Sequence, residues 1–129
     1  MYELTGTDKI WNRACQGGGE SPRPGDTALA GLLLFHGPTM NGGVLHAVEC
    51  LSAEQLVAAQ AGYMYFGFGG IADLIGAAQK AIRQGDDLEP LEAEFDQRYW
   101  ALVPDDGVLV ESFERRQQQH PLDYSPIVE

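Results

Sequence analysis

This chain is short of cysteine, of basic residues and of long apolar runs, and each shortage excludes a class of protein. Two cysteines, Cys15 and Cys50, make no disulfide framework. Stability must then come from an apolar core, and a reducing compartment is the simpler setting. Eight Lys and Arg stand against nineteen Asp and Glu, a formal net charge of −11. That balance removes the basic footprint of a nucleic-acid binder, so no direct nucleic-acid contact is expected. Apolar runs such as Leu32-Leu33-Leu34-Phe35 fall far short of a bilayer span, so no membrane segment is expected. The opening Met-Tyr-Glu-Leu has no basic stretch followed by an apolar one, so no secretory leader is expected and the default location is cytoplasmic. Period-two alternation is missing too. Val108-Leu109-Val110 is the one β-branched run and it is short, which argues against a sheet.

What is present is a chain of ordinary globular composition, with 129 residues and 44% hydrophobic content. It is long enough to bury roughly two-thirds of its unfolded surface in one domain without metal or disulfide. Helical signals dominate, and the reading is an all-α compact single-domain bundle of about six helices. A first helix runs from Tyr2 to Cys15, with Leu4, Ile10, Trp11 and Ala14 available for burial. Residues 16–25, rich in Gly and Pro, have the composition of a flexible loop. A second helix starts near Asp26 or Thr27, good N-caps, and ends at Gly37-Pro38. Ala28, Leu29, Leu32, Leu33 and Phe35 cover enough of its circumference for a central position.

Asn41-Gly42-Gly43 then caps a third helix through Val44, Leu45, Val48 and Leu51. Ser52-Ala-Glu-Gln55 fits a capping box and predicts a helix over 53–66. Ile71, Leu74, Ile75, Ala78 and Ile82 recur at i, i+3, i+4, i+7 and i+11, an apolar stripe predicting a helix over 71–84 closed by Gly85. Pro90 suits a first turn, and Leu88, Leu91, Phe95 and Tyr99 share one face of a helix over 91–101. The expected core includes Leu74, Ile75, Ala78, Leu91 and Phe95. A last helix pairs Leu109 with Phe113 and Glu111 with Arg115. From about 121 the tail shows no period and is expected to be irregular.

The segment from Asn41-Gly-Gly-Val-Leu-His-Ala-Val-Glu-Cys, through an Ala-rich helix, to Ile71-Ala-Asp-Leu-Ile-Gly-Ala-Ala-Gln-Lys-Ala-Ile82 resembles the DNA-mimic-protein family of bacteria. The matching positions are Asn41, Gly42, Gly43, Gly76 and Ala77, within about a third of the chain. Val44 departs from the pattern, which has an aromatic residue just after the glycines. The resemblance implies a compact all-α fold and, for the founding type, an acidic surface that imitates duplex DNA. Fold alone does not carry that function to every member.

The charge itself is lopsided. Residues 1–85 carry seven acids against five bases, whereas residues 86–129 carry twelve acids against three bases, a net of −9. Asp86, Asp87, Glu89, Glu92, Glu94 and Asp96 fall in one stretch without Lys or Arg. On a helix, Glu89, Glu92 and Asp96 lie within about 60° of arc and form an acidic stripe. Self-repulsion of this kind opposes compaction, so these six residues are the expected partner-binding set and the expected partner is a basic protein, with a DNA-binding regulator as one candidate. The plainer reading of the same acids is a solvated helix face whose first-turn carboxylates complement the macrodipole.

Catalytic signals are weak. His46-Ala-Val-Glu49 beside Cys50 is the best metal candidate, but a bundle metal site needs several such pairs and this chain has one, in reversed order. Cys15 and Cys50 lie in no nucleophile motif, and the glycines at 17–19 and 67–70 lack the Lys-Ser/Thr ending of a phosphate loop. The aromatic cluster Tyr63-Met-Tyr-Phe-Gly-Phe68 reads as core packing or as an interface anchor, core packing being the favoured of the two. The expectation is therefore a non-enzymatic acidic binding protein with no catalytic, cofactor or metal site. The alternatives are an immunity-type protein that neutralises a basic toxin and a small metal-dependent enzyme built on His46 and Glu49.

Overall fold

The computed structural model describes residues 6–127; Tyr2 and Leu4 of the expected first helix lie outside them. Among the described residues there are seven α-helices, one more than about six, and no strand. They are α1 (Gly6–Cys15), α2 (Pro24–Gly42), α3 (Val44–Cys50), α4 (Ala53–Tyr65), α5 (Gly69–Gln84), α6 (Leu88–Leu102) and α7 (Asp106–Gln119), followed by a 3₁₀ turn at Pro121–Asp123. Gly43 alone separates α2 from α3, and two residues separate α3 from α4. No described helix is long and apolar enough to cross a membrane.

Local chemistry explains most boundaries. The Ser52 hydroxyl accepts the Gln55 N–H at 3.1 Å, and the Gln55 side chain accepts the Ser52 N–H at 2.9 Å, so the capping box forms as read. Gly85 closes α5 in the left-handed conformation. Asp87 and Asp105 cap α6 and α7, accepting from Glu89 N–H and Val108 N–H. Asp87 therefore starts α6 at Leu88, ahead of the expected residue 91.

Two boundaries differ from expectation. The second helix begins at Pro24, whose missing N–H costs nothing there, and Asp26 sits in its first turn, accepting Arg23 N–H at 3.0 Å. The same helix runs through Pro38 to Gly42 rather than stopping at Gly37-Pro38. The ring of Pro38 meets no Cβ on Gly37, which removes part of the usual clash. The turn is also pinned on both sides of the proline: buried His36 bonds to Tyr99 and Asp106, and the buried Thr39 hydroxyl donates back to the Phe35 carbonyl at 2.8 Å.

The helix α2 is the axis of the molecule. It packs on α1, α3, α4 and the 3₁₀ turn, and its pairing with α4 is the most extensive in the fold. That pairing is a backbone-to-backbone approach. A Cβ on Gly31 would lie 2.4 Å from the Ala58 carbonyl oxygen, and one on Gly62 would lie 2.2 Å from the Ala28 carbonyl oxygen. The larger apolar cluster gathers Leu32, Phe35, Tyr63, Leu74, Ile75, Ala78, Phe95 and Tyr99 from α2, α4, α5 and α6. Leu91, expected in the core, is only partly buried and packs at its edge. A smaller cluster joins Ile10, Ala14, Leu29, Phe113 and Tyr124, and Trp11, Leu33 and Phe66 touch both.

The tail completes the smaller cluster. Residues 124–127, after the 3₁₀ turn, have no regular structure, yet Tyr124 is buried. The Asp26 carboxylate, itself buried, accepts Arg13 Nη2 at 2.8 Å and Ser125 N–H at 2.7 Å. Arg13 also donates to the carbonyls of Ser125 and Pro126. One carboxylate thus ties α1, α2 and the tail together.

The helix crossing generates a prediction. In an ordinary helix interior Ala is more stable than Gly by roughly 1 kcal/mol. Here Gly62→Ala should instead destabilise the fold by about 1–3 kcal/mol, because the methyl group forces α2 and α4 apart. Gly31→Ala should behave the same way. Denaturant midpoints at or above that of the parent chain would show that the crossing is looser than the geometry requires.

Candidate functional site

Two features stand out from the fold: an acidic corner at the α5–α6 turn and a polar chain inside the core. The corner begins where Gly85 ends α5. Asp86 and Asp87 follow, and Glu89, Glu92 and Glu94 project from α6; all five are exposed, and among the described residues none is paired with Lys or Arg. Asp86, Asp87 and Glu89 sit at the N-terminus of α6, where the macrodipole offsets part of their repulsion. Arg98, further along α6, lies over the Phe95 ring, 5.9 Å from its centroid.

Asp96, the sixth acid of the stretch, is half-buried and faces inward. Its Oδ1 accepts the Val44 N–H at 2.9 Å and so caps α3 from a helix 52 residues away. Gly43 makes room for this. Its φ of +93° is left-handed, and a Cβ there would lie 2.8 Å from the same oxygen. Asn41-Gly42 accordingly ends α2, and the cap expected from Asn41 is supplied by Asp96 instead.

Inside the core a chain of hydrogen bonds links four helices. Asp106 of α7 meets His36 Nε2 at 2.6 Å, His36 Nδ1 meets the Tyr99 hydroxyl at 2.6 Å, and Tyr99 meets the Tyr63 hydroxyl at 2.7 Å. An ionised carboxylate only accepts, so His36 donates from Nε2. With a neutral imidazole, Nδ1 then accepts the Tyr99 proton, and Tyr99 oxygen accepts from Tyr63. Every proton points outward toward Asp106, and none is stranded. Burial desolvates the phenolates first, and the mutual contact adds to it for Tyr63, so both tyrosines hold their protons well above the ordinary phenol range. Tyr99 also feels the nearby Asp106 charge. Only Asp106 is open to solvent, and the reactive atoms of the other three face the core.

The remaining candidates stay apart. His46, Glu49 and Cys50 are exposed on α3, with Cys50 Sγ 3.5 Å from His46 Nε2. Among the described residues no group of three or more His, Cys, Asp or Glu side chains converges as a metal site would require. Desolvation raises the Cys15 thiol above its ordinary range, which disfavours the nucleophilic thiolate. His120 is exposed. The aromatic cluster divides: Tyr63 is fully buried, Tyr65, Phe66 and Phe68 are half-buried, and Met64 is exposed.

No protein-family model, no curated protein and no solved structure matches this chain.

The polar chain and the Asp96 cap each generate a prediction. Tyr63→Phe removes a terminal donor and should cost about 1 kcal/mol, whereas Tyr99→Phe leaves both His36 Nδ1 and the Tyr63 hydroxyl without a partner and should cost about 2–4 kcal/mol. Both phenols are raised in the folded state, so their contribution is constant below the unfolded value of about 10 and is lost as pH rises above it. Alkaline unfolding followed by tyrosinate absorbance should therefore show late, cooperative ionisation of these two residues. Equal costs for the two variants would show that Tyr99 does not bridge His36 and Tyr63. Asp96→Ala should cost about 1 kcal/mol through the lost cap, while Asp96→Asn, which keeps an acceptor oxygen, should cost less. Hydrogen exchange at Val44 N–H would report the difference.

Proposed function

We propose that this chain is a non-enzymatic binding protein whose α5–α6 corner engages a basic protein surface. The observation that carries the reading is the exposure of five carboxylates, Asp86, Asp87, Glu89, Glu92 and Glu94, none of them ion-paired within the described residues. Unpaired like charges on one short stretch repel one another and add little to the fold. A partner bearing Lys and Arg would relieve that repulsion and would be drawn in over a distance set by ionic strength. Duplex DNA offers basic proteins the same recognition: closely spaced negative charge with release of counterions. This, with the resemblance over residues 41–82, supports DNA mimicry toward a DNA-binding regulator as the specific form. Asp96 contributes to the local field but is committed to the α3 cap.

The test replaces Glu89, Glu92 and Glu94 together by Gln, which keeps side-chain volume and leaves both caps, Asp87 and Asp96, intact. Proteins captured from the native lysate by the parent chain should be basic. Their association rate should fall as salt rises, since the Debye length shrinks from about 10 Å at 0.1 M to about 3 Å at 1 M. The triple variant should fold normally and associate more slowly. Duplex DNA should not bind the chain and should compete for the captured partner. A partner that binds equally well at high salt and to the triple variant would sink the proposal.

A further inference from the structure

The only adjacent pair of cations in this acidic chain, Arg115-Arg116, lines a cleft far from the acidic corner in sequence. The cleft lies between the end of α4 and α7 and encloses about 420 Å³. Its polar wall is Arg115, Arg116, Ser112 and Gln119 of α7, and its apolar wall includes Met64 and Phe66. Met64 is 65% exposed there, an apolar side chain that nothing among the described residues covers.

The two arginines are prepared for a ligand in different ways. The Arg116 guanidinium lies 4.4 Å above the Tyr65 ring centroid, which fixes its plane. Tyr65 is itself anchored by donating to Asp123 at 2.7 Å. Arg116 Nε is buried and has no hydrogen-bond partner among the described residues. A buried charged donor without an acceptor is costly, and a turn of the guanidinium toward the cleft would let an incoming oxygen satisfy it. Arg115 is held loosely: among the described residues its one side-chain bond is an exposed i, i+4 contact with Glu111 at 3.3 Å, which restrains it little. Its remaining donors can turn to the same oxygen, and Ser112 and Gln119 add neutral donors on adjacent turns.

We propose that this cleft binds a small organic oxyanion, a carboxylate or a phosphate ester, whose charged end meets Arg115 and Arg116 and whose apolar part rests on Met64 and Phe66. The site is independent of the acidic corner. Its ligand is of opposite charge to the proposed partner's surface, and it requires no chemistry beyond binding.

The test titrates the full chain with phenyl phosphate and with benzoate, following Arg side-chain Nε–H resonances by NMR and heat by calorimetry. The Arg116 Nε–H signal should shift at millimolar ligand, with the same midpoint as the heat, and the tighter of the two ligands identifies the preferred charged group. Inorganic phosphate should bind more weakly than phenyl phosphate, because it leaves the apolar wall unused. Arg115→Gln, a change at an exposed residue that should fold normally, should weaken binding by about tenfold. The Glu89→Gln, Glu92→Gln, Glu94→Gln variant should bind no more weakly than the parent, so loss of the acidic-corner reading leaves this one standing. Phenol producing the same Arg116 shift, or Arg115→Gln leaving the affinity unchanged, would overturn the proposal, as would no shift with either acid.

Discussion

The fold depends on the close approach of α2 and α4 at Gly31 and Gly62. With no Cβ at either position, each glycine lets a carbonyl of the other helix approach to within 2.4 Å of where its methyl group would be. This closeness puts α2 at the centre and lets it be buried around most of its circumference. It also sets the register that lays Tyr63 against Phe35, edge to face with centroids 6.1 Å apart. A wider crossing would leave these aromatic side chains without the dense packing that interiors require.

From that crossing the polar chain follows. Tyr63 on α4 and His36 on α2 both meet the hydroxyl of Tyr99 on α6, and Asp106 on α7 closes the line. The chain serves the fold in two ways. It satisfies polar groups that the core would otherwise strand, and it gives direction to four helices that apolar contacts alone would join in less specific ways. The Asp26 carboxylate does comparable work for α1, α2 and the tail. In a chain of net charge −11 the buried acid is thus one of the few with a cation beside it, while the α5–α6 acids face water.

Legibility in the sequence followed the range of the interactions. The capping box at Ser52 and Gln55, the apolar stripe of α5 and the left-handed Gly85 all act within a few residues, and all could be read directly. The course of α2 past Pro38 could not, because His36, two residues before the proline, is held by bonds from α6 and α7. The acidic stretch was visible as charge, but the inward turn of Asp96 depends on α3 lying beside α6. Small residues at 28, 31, 58, 59 and 62 were the one available hint of the close crossing, since such residues let backbones approach. The pair Arg115-Arg116 carried no local signal that a cleft would form over it.

The sequence by itself determined the class of fold, the existence and approximate place of the helices and the sign of the surface charge, because periodicity, capping and composition are local properties. Only the tertiary structure decided which polar side chains meet. His36 with Asp106, Tyr99 with Tyr63, Asp26 with Ser125 and Asp96 with Val44 are separated by 70, 36, 99 and 52 residues. No spacing rule links such residues. Their meeting follows from helix crossings set by backbone approach and side-chain volume, which exist only once the chain has packed.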